Sequence, residues 1–187
     1  IQNRVLQIVT VARYTQQKNV LPYLKVVRKV KELGLNVHFD WYGDKRHNVE
    51  YFAEIEKMYE YLDISDYLTL HDSVSKIEDV YRNADVFCLP SLVEGYPNVI
   101  VEAMSCGLPV ICSNRYENPY IVEEGVNGFL FNPEDIKDIV NTIKKVIALT
   151  PEQKQDMGNR NRKLCLERNT EELFLNSYVE LIISYEK

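Results

Sequence analysis

No apolar run in this sequence approaches the roughly 18 residues that a membrane-crossing helix needs. Its start lacks the charged, apolar and small-residue succession of a secretory leader, and nothing repeats at a period of roughly 20–50 residues. Cysteine is sparse. Cys88, Cys106, Cys112 and Cys165 form no C-x-x-C pair, and Cys88 and Cys112 sit inside apolar runs. This predicts free thiols in a reducing cytoplasm, with a metal site as the lesser alternative. His38, His47 and His71 show no ligand spacing, and there is no D-x-D motif, so neither zinc nor a catalytic divalent ion is expected. Among only 7 glycines there is no G-x-G-x-x-G and no G-K-[ST] loop, which excludes the dinucleotide and P-loop fingerprints. Positive charge is in deficit: 22 Lys and Arg face 28 Asp and Glu, a net charge of −6. A polyanion such as DNA or RNA is therefore a poor partner, and any phosphate site must be built from a few placed cations. The 13 tyrosines are not interleaved with Lys or Arg and read as core and rim, not as a stacking platform.

What is present is the balance of a soluble globular domain: 187 residues, 45% hydrophobic and 27% charged. Short apolar runs predict strands at 6–11, 37–42, 67–70, 86–89, 109–112 and 128–131, mostly apolar as strands covered on both faces should be. Helical patterns lie between them, at 22–33, 49–62, 77–83, 98–105, 119–124 and 134–149. This alternation predicts an α/β domain with a parallel sheet and helices on both faces. Ser75 with Glu78, and Thr150 with Gln153 where Pro151 takes the first helical position, have capping-box spacing; Pro133 sits similarly after Asn132. The α/β core spans 1–149, and 150–187 reads as two terminal helices, 151–168 and 170–185. In the second, Leu173, Phe174, Tyr178, Leu181 and Ile182 line one face, which packs on this sheet or on a partner domain. The chain opens on Ile1 directly before strand-like sequence, so it is expected to be a piece of a longer protein.

Two segments carry chemistry. The loop after the first strand holds Arg13 and Lys18, five residues apart and followed by a helix. In open α/β sheets, ligands bind beyond the carboxyl ends of strands where the topology changes direction, and a loop leaving the first strand lies there. Arg can grip phosphate oxygens bidentately and Lys adds a mobile charge, although two solvated surface cations would look the same. The fourth strand runs into Pro90–Asn98 and then a helix, with Glu94 on the loop and Glu102 in the helix. Gly95 permits a turn or close approach, and Pro97 suits a helix start, leaving the free amides of Asn98 and Val99 as an anion site. Glu102, inside the apolar run Val99–Met104, reads as a buried-facing acid that needs a partner, unless it reaches solvent. His71 could approach a base, but with no evident catalytic partner it reads as structural or solvated.

The stretch from Glu94-Gly-Tyr-Pro-Asn through Glu102-Ala-Met to Cys106-Gly-Leu-Pro resembles the E-x7-E signature of family-4 glycosyltransferases of the GT-B fold. Val11-Ala-Arg13 with Lys18 is similar to that family's Arg…Lys loop. Asn83–Ser91 and Gly125–Leu130 resemble two further recurring segments. The likeness is colinear over nearly the whole chain and covers only the C-terminal, donor-binding domain. It implies that Arg13 and Lys18 bind the donor diphosphate and stabilise it as a leaving group. It implies that Glu102 takes the ribose hydroxyls and Glu94 the transferred sugar. The backbone from Gly95 through Tyr96, Pro97 and Asn98 to Val99 would hold sugar and phosphate, and Ser73 and Val74 would lie beside the base. Where the family often has Gly, this chain has Ala12 and Asn19, and Asn tolerates the left-handed region better than most residues. The usually Gly-rich loop after the fifth strand is here Asn114–Pro119.

The expected architecture is a Rossmann-like, doubly wound sheet of six strands in the order 3-2-1-4-5-6, half of a GT-B fold. The expected function is donor binding in a retaining, metal-independent, cytoplasmic glycosyltransferase, its partner a nucleotide-diphosphate-sugar and its acceptor a glycan or lipid-linked glycan. The acceptor-binding N-terminal domain would lie outside this chain, and any peripheral membrane contact would run through it. The isolated chain is expected to bind but not turn over. A sugar-nucleotide epimerase of related fold and an inactive nucleotide-binding module are the rival readings.

Overall fold

The computed structural model describes residues 4–95 and 97–168. Six parallel strands, β1 Leu6–Val11, β2 Val37–Tyr42, β3 Leu68–His71, β4 Val86–Leu89, β5 Val110–Ser113 and β6 Gly128–Phe131, form one sheet in the order 3-2-1-4-5-6. The helices are α1 Val20–Glu32, α2 Val49–Tyr61, α3 Ile77–Asn83, α4 Asn98–Ser105, α5 Asn118–Ile121, α6 Ile136–Ala148 and α7 Pro151–Arg168. The parallel sheet is thus as expected from the alternation, and its order as expected of the Rossmann-like architecture. The helix expected at 170–185 lies outside the described residues.

Successive strand residues point to opposite faces, and β4 shows which helices cover which. Cys88 accepts from the Tyr23 hydroxyl of α1 at 3.3 Å. Phe87, its neighbour, meets the Tyr81 ring of α3 edge-on at 5.8 Å. So α1 lies on one face and α3 on the other. Helix α1 packs against α2 and α6, and α4 against α7. All four residues of β4 and of β5 are buried, as strands covered on both faces should be. The other half of the sheet departs from that expectation. β2 alternates: Val37, Phe39 and Trp41 are buried, while His38, Asp40 and Tyr42 are only half-buried. Short α3 leaves over β1 and β2 a cleft of about 340 Å³ lined by Gln7, Asp40, Tyr42, Asp79 and Asn83 among others.

Several boundaries differ from the sequence reading. Thr150 and Gln153 form the reciprocal capping box: the Thr150 amide donates to Gln153 Oε1 at 2.8 Å, and the Gln153 amide to Thr150 Oγ1 at 3.2 Å. Ser75 and Glu78 do not, because α3 starts at Ile77 with Lys76 in the cap position, one residue too late for the Ser75 side chain. Helix α6 begins at Ile136, not near Pro133, because the Asp135 carboxylate accepts the amides of Lys137 and Asp138. Helix α5 stops at Ile121 because buried Asn127 donates to the Ile121 carbonyl at 3.1 Å and accepts from the Glu123 amide at 2.7 Å.

Helix α7 is clamped to the end of α4. Asn161 is buried and its Nδ2 donates to the carbonyls of Leu108 at 2.7 Å and Asn127 at 2.8 Å. A Cβ on Gly158 would stand 1.9 Å from the Gly107 carbonyl oxygen. Gly158→Ala gains about 1 kcal/mol of helix propensity. Overpacking costs typically 1–3 kcal/mol, and no rotamer relieves a backbone clash, so a net loss of about 2 kcal/mol is expected. The thermal midpoint should fall by roughly 4–8 °C. An unchanged or raised midpoint would mean that the helix pair opens freely.

Candidate functional site

The sheet is parallel, so the loops that follow its strands emerge at one edge. From β1 the chain winds toward β2 and β3, and from β4 toward β5 and β6, so the direction of winding reverses between β1 and β4. The crevice of a doubly wound sheet lies at such a reversal. The loops flanking it are 12–19 and 90–97.

Loop 12–19 is fixed by bonds that the local sequence does not announce. Its amide at Ala12 donates to the Tyr42 carbonyl at 3.0 Å, and Trp41 Nε1 donates to the Ala12 carbonyl at 2.9 Å. The Tyr14 hydroxyl donates to the carbonyls of Trp41 at 2.9 Å and His71 at 2.7 Å, tying the loop to the ends of β2 and β3. The Tyr14 ring is fully buried, and burial, with Asp72 adding to it, pushes its phenol above the ordinary value, so it remains a donor. Asn19 takes φ 63°, the left-handed region in which Gly or Asn is favoured, and its Nδ2 donates to the Pro133 carbonyl at 2.7 Å. The departure from glycine at this position is therefore accommodated.

The two loops meet. The Leu92 amide donates to the Gln17 carbonyl at 2.8 Å. Lys18 Nζ forms an ion pair with Glu94 Oε1, and the side chains keep only 14% and 10% of their exposure. A pair so nearly dehydrated differs from the chain's other ion pairs among the described residues, each with at least one partner more exposed, because losing either member strands the other's charge. Arg13 lies on the same loop, is exposed, and makes no ion pair among the described residues.

Helix α4 begins directly after loop 90–97. No side chain caps it; Pro97 occupies the cap position and is buried. Its first amides, at Asn98 and Val99, precede any possible helical acceptor. Gly95 is exposed, and Tyr96 lies outside the described residues. Glu102 is exposed, which corrects the expectation of a buried-facing acid: α4 buries Ile100, Ala103 and Met104 instead. Asn98 and Glu102, four residues apart, share a face of the helix. Glu102 Oε2 accepts from the Tyr81 hydroxyl at 3.0 Å. Ser73 and Val74 are exposed on the loop after β3. That loop follows β3, two strands from β1 in the sheet.

His71 has a structural partner. Its Nε2 donates to Asp40 Oδ1 at 2.7 Å and its ring stacks on Tyr42 at 4.2 Å. This bond joins β2 to β3 on the half-open face of the sheet. All four cysteines are free. Burial pushes the Cys88 thiol up to about 12, so it is protonated and unreactive at neutral pH.

A family model described as glycosyl transferases group 1 matches residues 1–164. An uncharacterized glycosyltransferase of Haemophilus influenzae is 28% identical over 132 residues, covering 70% of this chain and 35% of that protein. The UDP-Gal:alpha-D-GlcNAc-diphosphoundecaprenol alpha-1,3-galactosyltransferase of Escherichia coli is 43% identical over 70 residues, covering 37% of this chain and 18% of that one. Among solved structures, Anabaena HepE in complex with UDP-glucose matches with a TM-score of 0.84 at 21% identity, over 97% of this chain and 49% of HepE. The chain thus spans about half the length of HepE and a smaller share of the two curated relatives. Among the described residues no helix is long and apolar enough to cross a membrane.

Proposed function

Since this chain belongs to the group 1 glycosyltransferases, we propose that it is the donor-binding half of a retaining enzyme that moves a sugar from a nucleotide-diphosphate-sugar to an acceptor. The observation that carries the reading is the near-dehydrated Lys18–Glu94 pair at the reversal point of the sheet, beside the uncapped start of α4. Lys18, Arg13 and the α4 amides take the diphosphate, the charges that grow as the sugar departs. Glu94 takes hydroxyls of the sugar and Glu102 those of the ribose. Ser73 and Val74 lie beside the base, and the backbone from Gly95 through Tyr96 to Val99 completes the cradle. No step is assigned to a metal. The acceptor-binding half lies outside this chain, and the E. coli relative's name suggests a lipid-linked diphosphate glycan as the acceptor class. The four free cysteines, three of them buried, suit a cytoplasmic location.

Calorimetric titration of the full-length protein with UDP-, GDP- and ADP-sugars tests this reading. One base is expected to bind, and the free nucleoside diphosphate should bind even the isolated chain, weakly and less so as salt is raised. Arg13→Ala should weaken it about tenfold, the loss of roughly 1.4 kcal/mol. Absence of binding for the whole panel refutes the reading. A product of the wrong anomeric configuration refutes retention, and an epimerised sugar nucleotide refutes transfer.

A further inference from the structure

We propose that Tyr81 is a positioning residue that presents the Glu102 carboxylate to the nucleotide ribose; this rests on the reading of Glu102 given above. Glu102 projects from the exposed face of α4 and would otherwise sample several rotamers in water. The Tyr81 hydroxyl holds one of its oxygens, Oε2, at 3.0 Å. Among the described residues the other oxygen, Oε1, has no hydrogen-bond partner, so a carboxylate held through Oε2 can offer Oε1 to a diol.

Tyr81 is built for this task. It is the one buried residue of α3, its ring held edge-on against Phe87 of β4 at 5.8 Å. Burial, and after it the neighbouring Glu102 charge, raises its phenol above the ordinary value, so the hydroxyl keeps its proton. A bond from a hydroxyl to a carboxylate is charge-assisted and directional. Tyr81 also joins two parts of the donor site, because α3 follows the loop carrying Ser73 and Val74 while Glu102 belongs to the helix that follows Glu94. A nucleotide that engages both base loop and ribose carboxylate therefore finds them already braced to each other, and less ordering is left for binding to do.

The test compares the tightest binder among UDP, GDP and ADP with its 2′-deoxy analogue, on the full-length protein and its Tyr81→Phe and Glu102→Gln variants. The unmodified protein should prefer the ribonucleotide by about tenfold, the size of a hydrogen bond to a charged group. Tyr81→Phe keeps the ring against Phe87, so the melting temperature and the affinity for the 2′-deoxy ligand should change little. The preference should shrink about threefold or more. A structural role alone would weaken both ligands equally, and that result, or no change in either, overturns the inference. The Glu102→Gln variant separates the two claims. If it leaves the preference intact, the ribose reading itself fails and the inference with it. If it abolishes the preference while Tyr81→Phe does not, only the positioning role fails.

Discussion

Lys18→Ala is expected to lower kcat/KM of the full-length enzyme by about 10²–10³-fold, the range found when one preorganised donor to a developing charge is removed. Two effects act in the same direction. The diphosphate loses a cation in a site where both side chains of the pair keep little exposure, so water replaces that cation poorly. Glu94 is then left without its partner, and its uncompensated charge repels the incoming diphosphate. Arg13 is exposed and already solvated, so Arg13→Ala should cost less than Lys18→Ala despite the better geometry of guanidinium for phosphate. The second effect has its own signature. Removing the Glu94 charge in a Lys18→Ala background should recover part of the loss of affinity for the free nucleotide, so the double variant loses less than the sum of the singles. Steady-state kinetics and titrations on the four proteins decide it. Additive losses would show that the pair is not coupled, and an effect of Lys18→Ala below about fivefold would remove Lys18 from the diphosphate site.

What could be read from the sequence was whatever a local pattern fixes. β4 and β5 are continuous apolar runs separated by helical patterns, so the parallel sheet followed, while its order came with the family resemblance. Arg13, Lys18 and Glu94 stood out as charges on loops that leave apolar strands, and Glu102 as the charge that interrupts an apolar helix. What could not be read depends on contacts between distant residues. Asn127 ends α5 and Asn161 clamps α7, each through carbonyls and amides that no spacing rule brings near. Tyr14 and Tyr81 are apolar in pattern and rightly fall in the core. Their function lies in the one polar atom each side chain carries, and its acceptors, 27 and 57 residues away for Tyr14 and 21 for Tyr81, are known only from the fold. The half-open face beneath β2 was misjudged for another reason. Val37–Tyr42 alternates in burial, and the polar His38 and Asp40 that mark its half-open face were passed over because the six strands were read together as mostly apolar.

Glu94→Gln should split two ligands that share a diphosphate. Glu94 faces the transferred sugar in the proposed site, and free nucleotide carries no sugar. This carboxylate is paired with Lys18, so the diphosphate competes with Glu94 for the same cation. Glutamine keeps the shape and removes the charge, which frees Lys18 for the phosphates. The free nucleoside diphosphate should therefore bind unchanged or tighter, since the phosphates no longer compete with a carboxylate for Lys18 in a site that keeps little water. The nucleotide-sugar should bind about tenfold more weakly, because a hydrogen bond from a sugar hydroxyl to a carboxylate is worth roughly 1.5–3 kcal/mol and the amide supplies only part of it. If that contact tightens as the glycosidic bond breaks, kcat falls as well, and by more than the loss in ground-state affinity. A purely structural Glu94 would instead lower the melting temperature and weaken both ligands alike. Titration of Glu94→Gln with free nucleotide and with nucleotide-sugar, beside a thermal melt, separates the two. Equal weakening of both ligands would return Glu94 to the role of a brace for Lys18 and leave the sugar to be recognised elsewhere.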